Sequence, residues 1–97
     1  MVKHIVTFKF SGSGSERKEV ACKFKAALEE LPAVIEVLKS IEVGLNVNPN
    51  ESWDLVLTAV VETLEDVDTY ANHPAHVAAA SIIKNNKDSR ACVDYVF

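Results

Sequence analysis

Val2-Lys3-His4-Ile5-Val6-Thr7-Phe8-Lys9-Phe10 alternates between two faces without interruption. His4, Val6, Phe8 and Phe10 fall on one side, and Lys3, Ile5, Thr7 and Lys9 on the other. A period of two is the signature of a β-strand, and the aromatic and branched side chains suit a pleated surface with one face buried. The buried face needs a layer over it, which the elements that follow must supply. His4 shares that apolar face. It is either a core histidine hydrogen-bonded to a main-chain carbonyl or the wall of a pocket.

Downstream, Ser11-Gly12-Ser13-Gly14-Ser15 reads as a flexible connection, too short to divide domains, in which Ser13 (with Glu16) or Ser15 caps a helix. Val20, Phe24, Ala27, Leu28 and Leu31 then recur at helical spacing, which predicts a helix over about 16–31, ended by Pro32. Residues 37–47 alternate again. Asn48-Pro49-Asn50-Glu51-Ser52 is a turn by composition, and Trp53 to Glu62 completes a hairpin. In that third strand Leu55, Leu57, Ala59 and Val61 oppose Val56 and Val60, so both faces are apolar and a single covering layer leaves one of them in water. Thr63 with Asp66 caps a short helix carrying Val67, Tyr70 and Ala71 inward. His73-Pro74 breaks it. Pro74 suits the first position of another helix to about Ile83, with Val77, Ala80 and Ile83 inward, and after a polar loop over 84–88 a last strand runs from Ala91 to Phe97.

The order βαββαβ in a single domain spanning 1–97 predicts the α+β, ferredoxin-like plan: a four-stranded antiparallel sheet with helices on one face. First and last strands are neighbours in that plan, which brings His4 toward Asp94. The uncovered face, with Tyr95-Val96-Phe97 closing the chain, points to two copies packing sheet against sheet as a homodimer.

Composition narrows the functions. An apolar fraction of 48% with 25% charged residues predicts a folded globular chain rather than disorder. A net charge of −4 with no basic run sets aside nucleic acid and anionic membranes as partners. No signal peptide or membrane span is legible, so the expected location is cytoplasmic. Cys22 and Cys92 fall on different elements and read as buried free thiols rather than a disulfide or metal ligands.

The stretch Tyr70-Ala71-Asn72-His73-Pro74-Ala75-His76-Val77 holds a phenol and two of the three histidines around a proline. With the opening strand and the closing Val93-Asp94-Tyr95, it resembles the stress-responsive dimeric α/β-barrel (A/B barrel) domain family over the whole chain. That resemblance implies a ferredoxin-like monomer closing with a second copy into a barrel. Its plant polyketide-cyclase members imply an active site of His4, Tyr70 and His76, with Asp94 supporting the strand histidine and a small hydrophobic or polyketide-like ligand. Plant members also imply magnesium on main-chain carbonyls that would align with Leu28, Leu31 and Val34. Such ligands leave no side-chain signature, so neither a metal nor a cofactor is assigned.

The chemistry these residues support is acid–base. His76, in the first turn of a helix, is kept neutral by the positive end of the dipole and is the base; Tyr70 donates to a developing oxyanion; His4, fixed by Asp94, orients the substrate. His73, just before proline, is given a structural role as cap or loop hydrogen-bonder. Pocket-lining groups that only bind ligand or water remain an equal reading for His76 and Tyr70. Three functions stay open: a cyclase- or lyase-like enzyme or binder, a non-catalytic stress-linked dimer, and a cofactor-free monooxygenase of the wider superfamily. Metal-dependent hydrolysis is disfavoured, because His73 and His76 have no carboxylates at ligand spacing.

Overall fold

The computed structural model describes residues 1–97. Strand β1 spans Val2–Phe10, helix α1 Gly14–Glu29, strands β2 and β3 Ser40–Leu45 and Leu55–Val61, helices α2 and α3 Leu64–Asn72 and Pro74–Ser81, and strand β4 Lys87–Val96. The sheet order is β2-β3-β1-β4 and every pairing is antiparallel. This is the ferredoxin-like plan, with β1 central between β3 and β4.

The β1 alternation decides the inside. Val2, His4, Val6, Phe8 and Phe10 are all buried, as are Leu55, Leu57, Ala59 and Val61 on β3. Phe24 and Leu28 of α1 and Val67 and Tyr70 of α2 join them in one core. The opposite face has no layer over it, and Val56, Val93 and Tyr95 are exposed there, beside half-buried Ile5 and Val60.

Several boundaries differ from the sequence expectation. Helix α1 starts at Gly14, capped by Ser13 through Glu16 N, and stops at Glu29, after which Leu31–Ala33 form a 3₁₀ turn. Strand β2 is shorter than 37–47, because Leu38 is packed into the core ahead of the strand while Val47 lies 94% exposed in the turn. Strand β4 starts at Lys87, earlier than Ala91, because polar residues pair with the end of β1 across a register shift at Lys9/Phe10. On α3 the buried residue is Ala79, with Ile83 buried just beyond the helix, whereas Val77 is exposed.

The Ser11–Ser15 connection is held rather than loose. Asn86 accepts from Ser11 N at 2.7 Å and donates from Nδ2 to the Ser11 carbonyl and to Glu16. Gly12 has φ +111°, and a Cβ there would meet Glu16 Oε2 at 2.6 Å, so only glycine fits this turn. Asp54 ties the far end of β1 down by accepting from Phe10 N at 2.7 Å.

Candidate active site

Three elements meet at one end of the inner face. β1 supplies His4, α2 supplies Tyr70, and α3 supplies His76. The break between the helices is built from sequence: His73 is the C-cap of α2 and the N-cap of α3, its Nδ1 accepting from Ala75 N at 3.0 Å, while Pro74 occupies the first turn of α3 and needs no donor there. The Thr63–Asp66 capping box is complete at the other end of α2. Tyr70 and His76 thereby meet across the kink, with ring centroids 4.6 Å apart and planes tilted by 57°. His4 meets Tyr70 edge-on from the sheet, 5.9 Å between centroids.

These three residues line a cavity of about 460 Å³ whose floor is apolar, including Phe8, Phe24, Leu57 and Ile83. Its mouth carries Asp68, Lys84, Lys87 and Arg90. The register His4↔Asp94 sets the two ends of the chain side by side, and His4 Nδ1 lies 2.5 Å from Asp94 Oδ1. A carboxylate only accepts, so Nδ1 is the donor and Nε2 is left as the second functional atom of His4.

His76 has the opposite neighbour but the same tautomer. Its Nδ1 is 2.9 Å from the Ala71 carbonyl and must donate, which leaves a lone pair on Nε2. Burial lowers the His76 pKa below its ordinary value; the bond to Ala71 opposes this, and nearby His4 and Arg90 add to it. The ring is therefore neutral near pH 7, with its Nε2 lone pair free. Desolvation, rather than the dipole invoked from sequence, is the first cause. Tyr70 is 1% exposed and its hydroxyl has no hydrogen-bond partner. Burial pushes its pKa up to about 12, against a small opposite effect of Arg90, so it stays a proton-bearing donor.

Cys92 was not legible as part of the site. Both cysteines are free but exposed, in place of the burial expected from sequence. Cys92 stands two residues from Asp94 on the same face of β4, with Sγ 3.5 Å from His4 Nδ1. Only that spacing of two on an edge strand could have marked it. Burial, and then the Asp94 charge, keep its thiol above its ordinary pKa. The main-chain magnesium site does not fit well: the Leu31 carbonyl already accepts from Val34 N at 3.0 Å and Ile35 N at 2.9 Å, which occupies both of its lone pairs.

A second concavity of about 490 Å³ lies on the uncovered sheet face, between Thr7, Trp53, Val56 and Ala91. It holds no histidine, and its one titratable side chain is Glu51. It belongs to the apolar outer surface.

The profile of the Stress responsive A/B Barrel Domain family matches residues 2–97. Olivetolic acid cyclase of Cannabis sativa is 25% identical over 97 residues, covering 97% of this chain and 94% of the relative. The stress-response A/B barrel domain-containing protein HS1 of Arabidopsis thaliana is 32% identical over 98 residues, covering 97% and 87%. Among solved structures, a dimeric protein of unknown function and ferredoxin-like fold from Bacteroides fragilis is 51% identical and superposes with a TM-score of 0.96, over 99% of this chain and 95% of that one.

Proposed function

The chain belongs to the stress-responsive A/B barrel domain family, and from that premise we propose that it is a homodimer with a small-molecule cavity in which His4, Tyr70 and His76 perform cofactor-free acid–base chemistry of the cyclase or lyase kind. The observation that carries this reading is the orphaned Tyr70 hydroxyl beside a neutral imidazole whose Nε2 is unprotonated. A buried hydroxyl without a partner costs about 1–3 kcal/mol, an expense that a core serving only stability has no reason to keep. A bound carbonyl oxygen would complete it.

The steps follow from the atoms. His76 Nε2 takes a proton alpha to the ligand carbonyl, and Tyr70 donates to the oxygen as negative charge develops on it. The proton does not pass to Tyr70, whose pKa of about 12 keeps it a donor. His4, held by Asp94, orients the ligand from the sheet side. Asp94 is a positioning residue and His73 a structural cap. The apolar floor favours a hydrophobic ligand. The likeness to a polyketide cyclase supports this class of chemistry, and an open cavity of about 460 Å³ speaks against a purely structural dimer, which would gain by filling it.

In this reading the second copy covers the exposed sheet face. Val56, Val93 and Tyr95 there need cover, and the Bacteroides relative is described as dimeric. Ligand binding tests the cavity: titrating the protein with a panel of β-diketones and alkylphenols, followed by NMR of the His76 and Tyr70 side chains, should move both sets of signals. Tyr70→Phe should weaken the binding of carbonyl ligands about tenfold. Shifts confined to outer-face residues such as Trp53 would move the site elsewhere.

A further inference from the structure

The wall of the cavity formed by β1 and β4 carries three different metal-ligating atoms at one point. His4 and Asp94 are directly opposite in the register, and Cys92 is on the same face one step along β4. His4 Nδ1, Cys92 Sγ and Asp94 Oδ1 all lie within 4.8 Å of one another. The sulfur is 3.5 Å from the nitrogen and 3.6 Å from the oxygen.

A tetrahedral zinc ion sits about 2.3 Å from sulfur and about 2.0 Å from nitrogen or oxygen, which puts neighbouring ligand atoms roughly 3.3–3.6 Å apart. Both edges that involve sulfur already have that length. The third edge, His4 to Asp94 at 2.5 Å, is short because the Nδ1–H hydrogen bond holds it closed. Exchanging that proton for an ion requires the edge to open by rather less than one ångström, a side-chain adjustment at a residue on an edge strand. We propose that His4, Cys92 and Asp94 form a three-ligand site for a zinc-class divalent cation, with its fourth position open to the cavity.

The donor set suits such an ion. A thiolate and a carboxylate neutralise the double charge, and one thiolate with one imidazole selects zinc or cobalt over magnesium or calcium. On binding, the Cys92 thiol gives its proton to solvent and the His4 proton moves from Nδ1 to Nε2, so one proton is released per ion. The inference stands on the β1–β4 geometry and does not rest on the acid–base reading. The two meet at His4: an ion there takes the residue that orients the ligand, and zinc and ligand binding become coupled.

Cobalt(II) titration of the reduced, chelator-treated full chain tests the site. The expected result is one equivalent bound per chain, with the visible bands of tetrahedral cobalt and a near-ultraviolet thiolate-to-cobalt band, all displaced by zinc. Cys92→Ser should abolish the near-ultraviolet band and lower affinity at least about tenfold, Asp94→Asn should weaken binding to a similar degree, and Cys22→Ser should change neither. Circular dichroism on each variant separates loss of a ligand from loss of fold, and Cys92 is exposed enough for its serine variant to fold. No binding by the folded wild-type chain, octahedral cobalt without a thiolate band, or a band that survives Cys92→Ser would overturn the proposal. None of these results bears on whether His76 and Tyr70 act as base and donor.

Discussion

At the scale of single residues, the buried, unpartnered Tyr70 hydroxyl is a cost to folding and, in the proposed function, the donor to the ligand oxygen. Tyr70→Phe keeps the ring and removes the orphan, so it should leave the folded state unchanged or stabilise it by about 1 kcal/mol while weakening ligand binding. Chemical denaturation checks this, and a destabilisation of the same size would mean that the hydroxyl has a partner. His76 supplies a pH test with a definite sign. Burial depresses its folded-state pKa below the ordinary 6.5, so the unfolded chain takes up the proton first as pH falls. The His76 contribution to stability is therefore fully present above 6.5, declines as pH drops below it, and is gone beneath the folded value. NMR titration should place the His76 midpoint below 6.5, and a midpoint above it would remove the neutral base. The two histidines and the phenol were legible in the sequence because they crowd around one proline, and His4 because it breaks an apolar face. Cys92 was not, since His4 lies 88 residues away and the spacing of two to Asp94 carries no pattern by itself on a strand.

At the scale of elements, the α2–α3 kink aims the site. His73 caps one helix and ends the other, so His73→Ala should cost about 0.5–2 kcal/mol, whereas His73→Asn, a good N-cap, should recover most of it. Thermal unfolding of the pair is the check. If both variants lost equal stability, the imidazole would be doing more than capping. The capping residues Ser13 and Thr63 and the β1 alternation could be read in advance because their signals are local. The phase of α3 could not. The helical stripe predicts Val77 inward, but Pro74 restarts the helix on a new axis and Ala79 takes the buried place instead. The early start of β4 has no sequence signal for a related reason: an edge strand with both faces largely exposed has no hydrophobic alternation, and its pairing is set by the partner strand.

At the scale of the whole molecule, the fold was legible because the order of elements leaves few ways to cover one apolar sheet face, and the opposite face stays apolar once they are used. Val93→Asp places a charge on that face, where Val93 is 62% exposed in the isolated chain. It should convert a dimer at micromolar concentration into a folded monomer, as read by sedimentation equilibrium. A wild-type monomer at that concentration would remove the sheet-to-sheet pairing. The β1–β4 register that aligns His4 with Asp94 also faces the strand imidazole toward Tyr70 and His76, and in the proposed function this cavity moves protons. The most direct measurement is deuterium exchange at the α-carbon of a β-keto thioester in D2O, followed by mass spectrometry. The wild-type protein should accelerate exchange above the buffer rate, His76→Gln and Tyr70→Phe should each lose about a hundredfold of that acceleration or more, and His73→Asn should keep it. Exchange at the buffer rate with wild-type protein, or full acceleration in His76→Gln, would remove proton transfer from this cavity.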